Sequence, residues 1–107
     1  MELITAPELA AWIADADRPS PLLLDVREPW EFDTCRLTDA ISIPMNSVPS
    51  RLEELDPSLP VVCICHHGAR SLQVATFLER QGFEKVTNLT GGVHAWAQQV
   101  DPAMPTY

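Results

Sequence analysis

An α/β domain of three layers, with a central parallel sheet flanked by helices, is the fold class this sequence predicts, and three observations predict it. Short apolar runs at residues 22–26, 41–43, 61–65 and 86–89 alternate with stretches whose apolar residues recur at helical spacing. The runs at 22–26 and 61–65 are apolar almost throughout rather than alternating, as in strands covered on both faces. A chain of 107 residues supplies one core and is too short for two. Strands alternating with helices pair in parallel, because each crossover helix returns the chain to the same edge.

Each element has a local reason. Thr5-Ala6-Pro7-Glu8 reads as a capping box with proline in the first turn, and Leu9, Trp12, Ile13 and Ala16 then form one apolar face. Pro19-Ser20-Pro21 breaks that helix before the strand at 22–26. Residues 28–32 suit a short turn of helix, and Pro44 stops the brief strand at 41–43. Val48, Leu52 and Leu55 fit a second short helix, and the turn at 57–60 leads into the strand at 61–65. A helix opens near Arg70, carries Val74, Ala75, Phe77 and Leu78 on one side, and stops at Gly82. After the strand at 86–89, Gly91-Gly92 begins a last helix with Val93, Trp96, Ala97 and Val100 at helical spacing. Pro102 and Pro105 make the tail irregular. The expected organisation is a single domain over 1–107, with a core at about 4–99 and a tail at 100–107.

Composition narrows the function. A formal net charge of −8 argues against non-specific nucleic-acid binding, which needs clustered lysine and arginine. No apolar run reaches membrane-spanning length, and residues 1–5 lack the basic region of a signal peptide. A cytoplasmic protein with no membrane partner is the expectation. The 3 cysteines have no disulfide-framework spacing.

The chemistry concentrates at residues 61–71. An apolar strand ends at Cys65, a short loop with Gly68 follows, and Arg70 opens a helix. The helix turns its unpaired N–H groups and positive dipole end toward the loop, forming a cradle that favours an anion such as a thiolate. In folds of this class ligands bind beyond the carboxyl ends of the strands, where Asp25, Cys65 and Asn88 all fall. The ordinary role of a free cysteine is buried packing, but this placement favours a reactive one. Cys63, two positions earlier on the strand, reads as core-facing. Cys35 would matter to an oxidised Cys65 only if the fold brought the two together.

Three motifs in order carry a family resemblance. Residues 25–32 (DVREPWEF), 65–71 (CHHGARS) and 90–96 (TGGVHAW) resemble the amino-terminal motif, active-site loop and carboxy-terminal motif of single-domain rhodaneses, which are sulfurtransferases. The match runs over about 4–96, and the tail at 100–107 is similar to the ending of many small rhodanese domains, some fused to adenylyltransferases. One stretch departs from the pattern. Where the family has a Gly-His-Ile-Pro-Gly-Ala-like segment, this chain reads CRLTDA at 35–40, and the loss of both glycines implies a different local turn.

The resemblance implies a rhodanese-like domain around a mainly parallel, five-stranded sheet. It implies that Cys65 takes the outer sulfur of a donor such as thiosulfate as a persulfide and passes it to cyanide or a thiol. Delivery to a protein partner, as a persulfide carrier or regulatory module, is the alternative. Backbone groups from His66, His67, Gly68, Ala69 and Arg70 would bind the sulfur and donor, with Asp25, Arg27 and Ser71 supporting the loop. Arg70 either holds the donor anion or pairs with Asp25 or Glu28 to lock the loop. Thiosulfate-preferring relatives often carry Arg or Lys where His66 and His67 stand, so weak thiosulfate binding is expected.

No organic cofactor or metal is required by this chemistry. A metal site from Cys63, Cys65, His66 and His67 is disfavoured, because the spacing is tight and no second ligand pair stands out. Cysteine phosphatases of the same fold carry a loop one residue longer, whereas here four residues separate Cys65 from Arg70.

Overall fold

A computed structural model describes all residues from Met1 to Tyr107. Five strands form one sheet in the order β1-β5-β4-β2-β3: Glu2–Ile4, Val86–Leu89, Val61–Ile64, Leu22–Asp25 and Ile41–Ser42. Every pairing is parallel, so the sheet is wholly rather than mainly parallel. Helices α1 (Ala6–Ala14), α2 (Pro29–Thr34), α3 (Ala69–Arg80) and α4 (Gly92–Gln99) connect and flank the strands.

The two faces of the sheet bury separate cores, as the period of two along each strand requires. Leu24, Val26, Cys63 and Cys65 face Val74, Ala75 and Leu78 of α3. Leu23, Val62 and Ile64 face Leu9 and Trp12 of α1 and Val93 and Ala97 of α4. Full burial of a leucine such as Leu9 or Leu24 is worth about 1.5–3 kcal/mol. β4 lies between β2 and β5, buried at every position, so Cys65 leaves the sheet from its most rigid strand.

The predicted start of α1 is present in detail. The Glu8 amide donates to Thr5 Oγ1 at 3.3 Å and the Thr5 amide to Glu8 Oε1 at 2.9 Å. Its end differs: α1 stops at Ala14, leaving Ala16 outside, and Ile13 is exposed rather than on the packed face. The expected short helix near Val48 is two pieces of 3-10 helix, Met45–Ser47 and Pro49–Glu54. The two ends of the chain also join the fold. Glu2 and Leu3 pair with Thr87 and Asn88 in the sheet, and Met104 of the irregular tail is buried.

Within the 35–40 segment one residue takes a backbone conformation that usually calls for glycine. Asp39 sits at φ 66°, the left-handed conformation for which glycine is the usual residue. Aspartate is among the few other residues that adopt it readily.

Candidate active site

The sulfur of Cys65 lies where β4 passes into the loop before α3, and the residue is 1% exposed. Its Sγ accepts a hydrogen bond from the Gly68 amide at 3.0 Å, and the Ser71 hydroxyl lies 3.4 Å away. That hydroxyl has a single proton and a closer acceptor, Asn88 Oδ1, at 2.5 Å. Asn88 Nδ2 in turn donates to the Gly68 carbonyl at 3.1 Å, so β5 steadies the loop through its side chain.

Backbone fit explains the glycines. Gly68, at φ 107°, reverses the chain so that its N–H points at the sulfur. The first turn of α4 closes on the loop from the other side: Val93 N–H donates to the Cys65 carbonyl and His94 N–H to the His66 carbonyl, at 2.9 and 3.1 Å. A Cβ on Gly92 would stand 2.3 Å from the Cys65 carbonyl oxygen, so only glycine permits this approach.

Two arginine–carboxylate pairs frame the loop. Arg27 Nε and Nη2 donate to Asp25 at 2.9 and 2.7 Å, with both side chains fully buried. Arg27 also donates to the carbonyls of Glu31 and Cys35. Arg70 makes a bidentate pair with Glu31, at 2.6 and 2.8 Å. The sequence offered Asp25 or Glu28 as its partner, but the α2 capping box, in which Glu31 Oε1 accepts from the Glu28 amide, turns Glu31 inward. Arg70 therefore ties the start of α3 to α2, through a residue the sequence reading did not single out. Its guanidinium, with help from Tyr107, holds the Glu31 carboxyl down at about 2.

Tyr107 is a further contributor that sequence reasoning missed. Its hydroxyl accepts from Arg27 at 3.0 Å and donates to Glu31 at 2.7 Å, and its ring stacks on His66 with centroids 4.1 Å apart. Burial pushes the phenol up to about 12, so it keeps its proton for Glu31.

His66 is half-buried and His67 exposed, both in the loop mouth, and His94 of α4 joins them. Burial, reinforced by the neighbouring His67, lowers the His66 pKa from its ordinary value. Ala69 is the exposed first residue of α3. Cys63 is buried two residues before Cys65, and burial pushes its thiol up to about 12. Cys35 is buried in the core on the opposite face of the sheet from Cys65. The largest surface cavity, about 520 Å³, lies at the other ends of the strands beside Glu2, Pro60 and Val86 and contains none of these residues. At the loop, by contrast, a buried sulfur meets a directed N–H donor.

Comparison with known proteins agrees with that geometry. The rhodanese-like domain family matches residues 5–99. The chain belongs to that family. A sulfurtransferase of Allochromatium vinosum is 41% identical over 83 residues, covering 78% of each chain. A thiosulfate sulfurtransferase of Tolumonas auensis is 33% identical over 78 residues, covering 73% of this rhodanese-like chain and 74% of that one. Among solved structures, a protein of Staphylococcus saprophyticus superposes with a TM-score of 0.85 at 34% identity, over 94% of this chain and 97% of that one. Other relatives are longer: the chain spans 30% of a rhodanese-like/PpiC domain protein of Arabidopsis thaliana and 21% of an adenylyltransferase and sulfurtransferase of Drosophila ananassae. Sulfur transfer is the activity class that these relatives support for this rhodanese-like domain.

Proposed function

We propose that this domain moves a sulfane sulfur from thiosulfate, or a donor like it, to cyanide or a thiol through a persulfide on Cys65. The observation that carries the reading is the Gly68 N–H donating to Cys65 Sγ at 3.0 Å, inside a loop held by Asn88, Glu31 and the first turn of α4. The Cys65 thiolate attacks the outer sulfur of thiosulfate, the S–S bond breaks, and sulfite leaves with the bonding pair. The outer sulfur of the persulfide anion then receives the acceptor's lone pair. Its bond to Cys65 breaks, and the thiolate returns. Two half-reactions on one nucleophile give ping-pong kinetics.

In this reading His66, His67, Gly68, Ala69 and Arg70 line the donor's path, and Asp25, Arg27 and Ser71 hold the loop in shape. Arg70 gives its fork to Glu31, which leaves the sulfonate of thiosulfate with imidazoles and backbone N–H groups rather than a free cation. A high Michaelis constant for thiosulfate follows. The sulfur acceptor is a small thiol, cyanide or a thiol on a protein partner. That last option makes the domain a persulfide carrier, and the fused adenylyltransferase relative lends it support.

Intact-protein mass spectrometry after thiosulfate treatment tests the reading. The mass should rise by one sulfur, revert with a reductant, and stay unchanged in Cys65→Ser. A gain that persists in Cys65→Ser but disappears in Cys63→Ser would reassign the nucleophile.

A further inference from the structure

All 3 histidines of this chain gather at one place. His66 and His67 stack with ring centroids 4.1 Å apart, and His94 lies 4.9 Å from His67 and 6.1 Å from His66. One ring nitrogen from each comes within 4.8 Å of the others. The side-chain hydrogen bonds around the loop run through Gly68, Ser71, Asn88, Glu31 and Tyr107, leaving the imidazole nitrogens without a protein partner. No side-chain hydrogen bond to a protein group competes for the nitrogens that converge.

The grouping is also anchored. His94 N–H donates to the His66 carbonyl at 3.1 Å, so the first turn of α4 and the sulfur loop move as a unit. Gly92 permits that close approach. Only side-chain rotation is then needed to bring the three nitrogens onto one ion. Zinc at about 2.0–2.1 Å from each nitrogen, in tetrahedral geometry, separates them by about 3.4 Å. His66 is held in its stack between Tyr107 and His67, so the adjustment falls to the exposed His67 and the half-buried His94. Imidazole suits borderline divalent ions, and a net charge of −8 favours a dication over an anion at an otherwise uncommitted site.

We propose that His66, His67 and His94 form a three-imidazole site for a borderline divalent transition metal, with Zn²⁺ the representative ion, at the mouth of the Cys65 loop. Three protein ligands leave the fourth position for water or a sulfur anion. A bound ion therefore stands in the path to Cys65, and occupancy blocks donor entry. This second clause rests on the sulfur-transfer reading, whereas the binding site itself does not. Cys63 has no part in it, being buried in the core.

Calorimetric titration of the full chain with Zn²⁺ in the Cys65→Ser background separates the two. One ion per chain should bind, and His94→Ala should weaken it by about tenfold or more, since even outer partners of a metal ligand carry that much. The exposed His67→Ala should weaken it likewise, which keeps the test alive if His94→Ala folds poorly. Loss of binding in Cys65→Ser alone would move the metal to the sulfur and overturn the site, as would affinity unchanged in both histidine variants. With Cys65 intact, sulfur transfer from thiosulfate to Cys65, followed by intact mass with no cyanide present, should be inhibited by Zn²⁺ and restored by a chelator. His94→Ala should need about tenfold more Zn²⁺ for the same inhibition. Transfer unaffected at saturating Zn²⁺ would overturn the blocking role, and binding without any transfer in metal-free protein would instead overturn the sulfur reading.

Discussion

Asp25–Arg27 and Glu31–Arg70 use the same bidentate chemistry a few ångströms apart, with Tyr107 touching both pairs, yet they work under different conditions. Both partners of the first are fully buried, while the second leaves Arg70 33% exposed. The buried pair joins the end of β2 to the end of α2, through Arg27 and the Cys35 carbonyl. The half-open pair joins α2 to the sulfur loop. The first is an anchor inside the core. The second is a latch whose state the loop can feel.

The largest effect should come from breaking the anchor. Arg27→Met leaves the Asp25 carboxylate buried without a cation, a situation that typically costs about 3–5 kcal/mol. Urea unfolding reads this directly. A loss under about 1 kcal/mol would place this pair in the class of surface pairs and erase the contrast.

Opening the latch should separate stability from activity. Glu31→Gln removes the charge that occupies Arg70, so the loop loses its hold and kcat for sulfur transfer falls by about tenfold, roughly 1.4 kcal/mol in the barrier. The freed guanidinium becomes available to thiosulfate, and KM falls in the same variant. A KM that rises with kcat unchanged would mean that Glu31 supports the donor directly.

Acid should act on the latch in a defined window. Arg70 lowers the Glu31 carboxyl from 4.5 to about 2. A depressed folded-state value contributes stability that is complete above about 4.5 and disappears as pH falls through about 2. The stability gap between wild type and Glu31→Gln should therefore narrow from pH 4.5 downward. A gap independent of pH across that range would remove the charged pair from the account.

The smallest effect belongs to Arg51–Glu54, whose side chains are 40% and 45% exposed. Arg51→Ala should leave the urea midpoint within experimental error, because solvent screens such pairs and holding them ordered offsets the attraction. A clear shift would show that exposure is not what distinguishes these pairs.

What could be read from the sequence follows the same division between local and distant causes. The Thr5–Glu8 cap, the strand ending at Cys65 and the Gly82 stop are written in neighbouring residues, and the structure contains each. β1 escaped notice because it is three residues long and lies at an edge, with Leu3 66% exposed, so it shows no buried pattern. Glu31 was hidden by one turn of helix: its direction depends on a cap that the sequence of residues 28–32 only hints at. His94 sat within a helix read for its apolar spacing, and Tyr107 within a tail read for its prolines. Each meets the loop through contacts between segments distant in sequence, and no local periodicity records such a meeting.

The pairing of β1 with β5 also sets an order of events. Glu2 finds its partner in Thr87, so joining β1 to β5 closes a long stretch of chain. Contacts this far apart in the chain close late, since the entropy of the long loop is lost before the pairing compensates it. β2 and β4 pair over a much shorter stretch of chain than β1 and β5 do. Asn88 reaches the sulfur loop through a different pairing, that of β5 with β4, where it lies opposite Cys63. The sulfur cradle therefore depends on β5 joining β4, and β1 adds an outer strand to a sheet that already holds it.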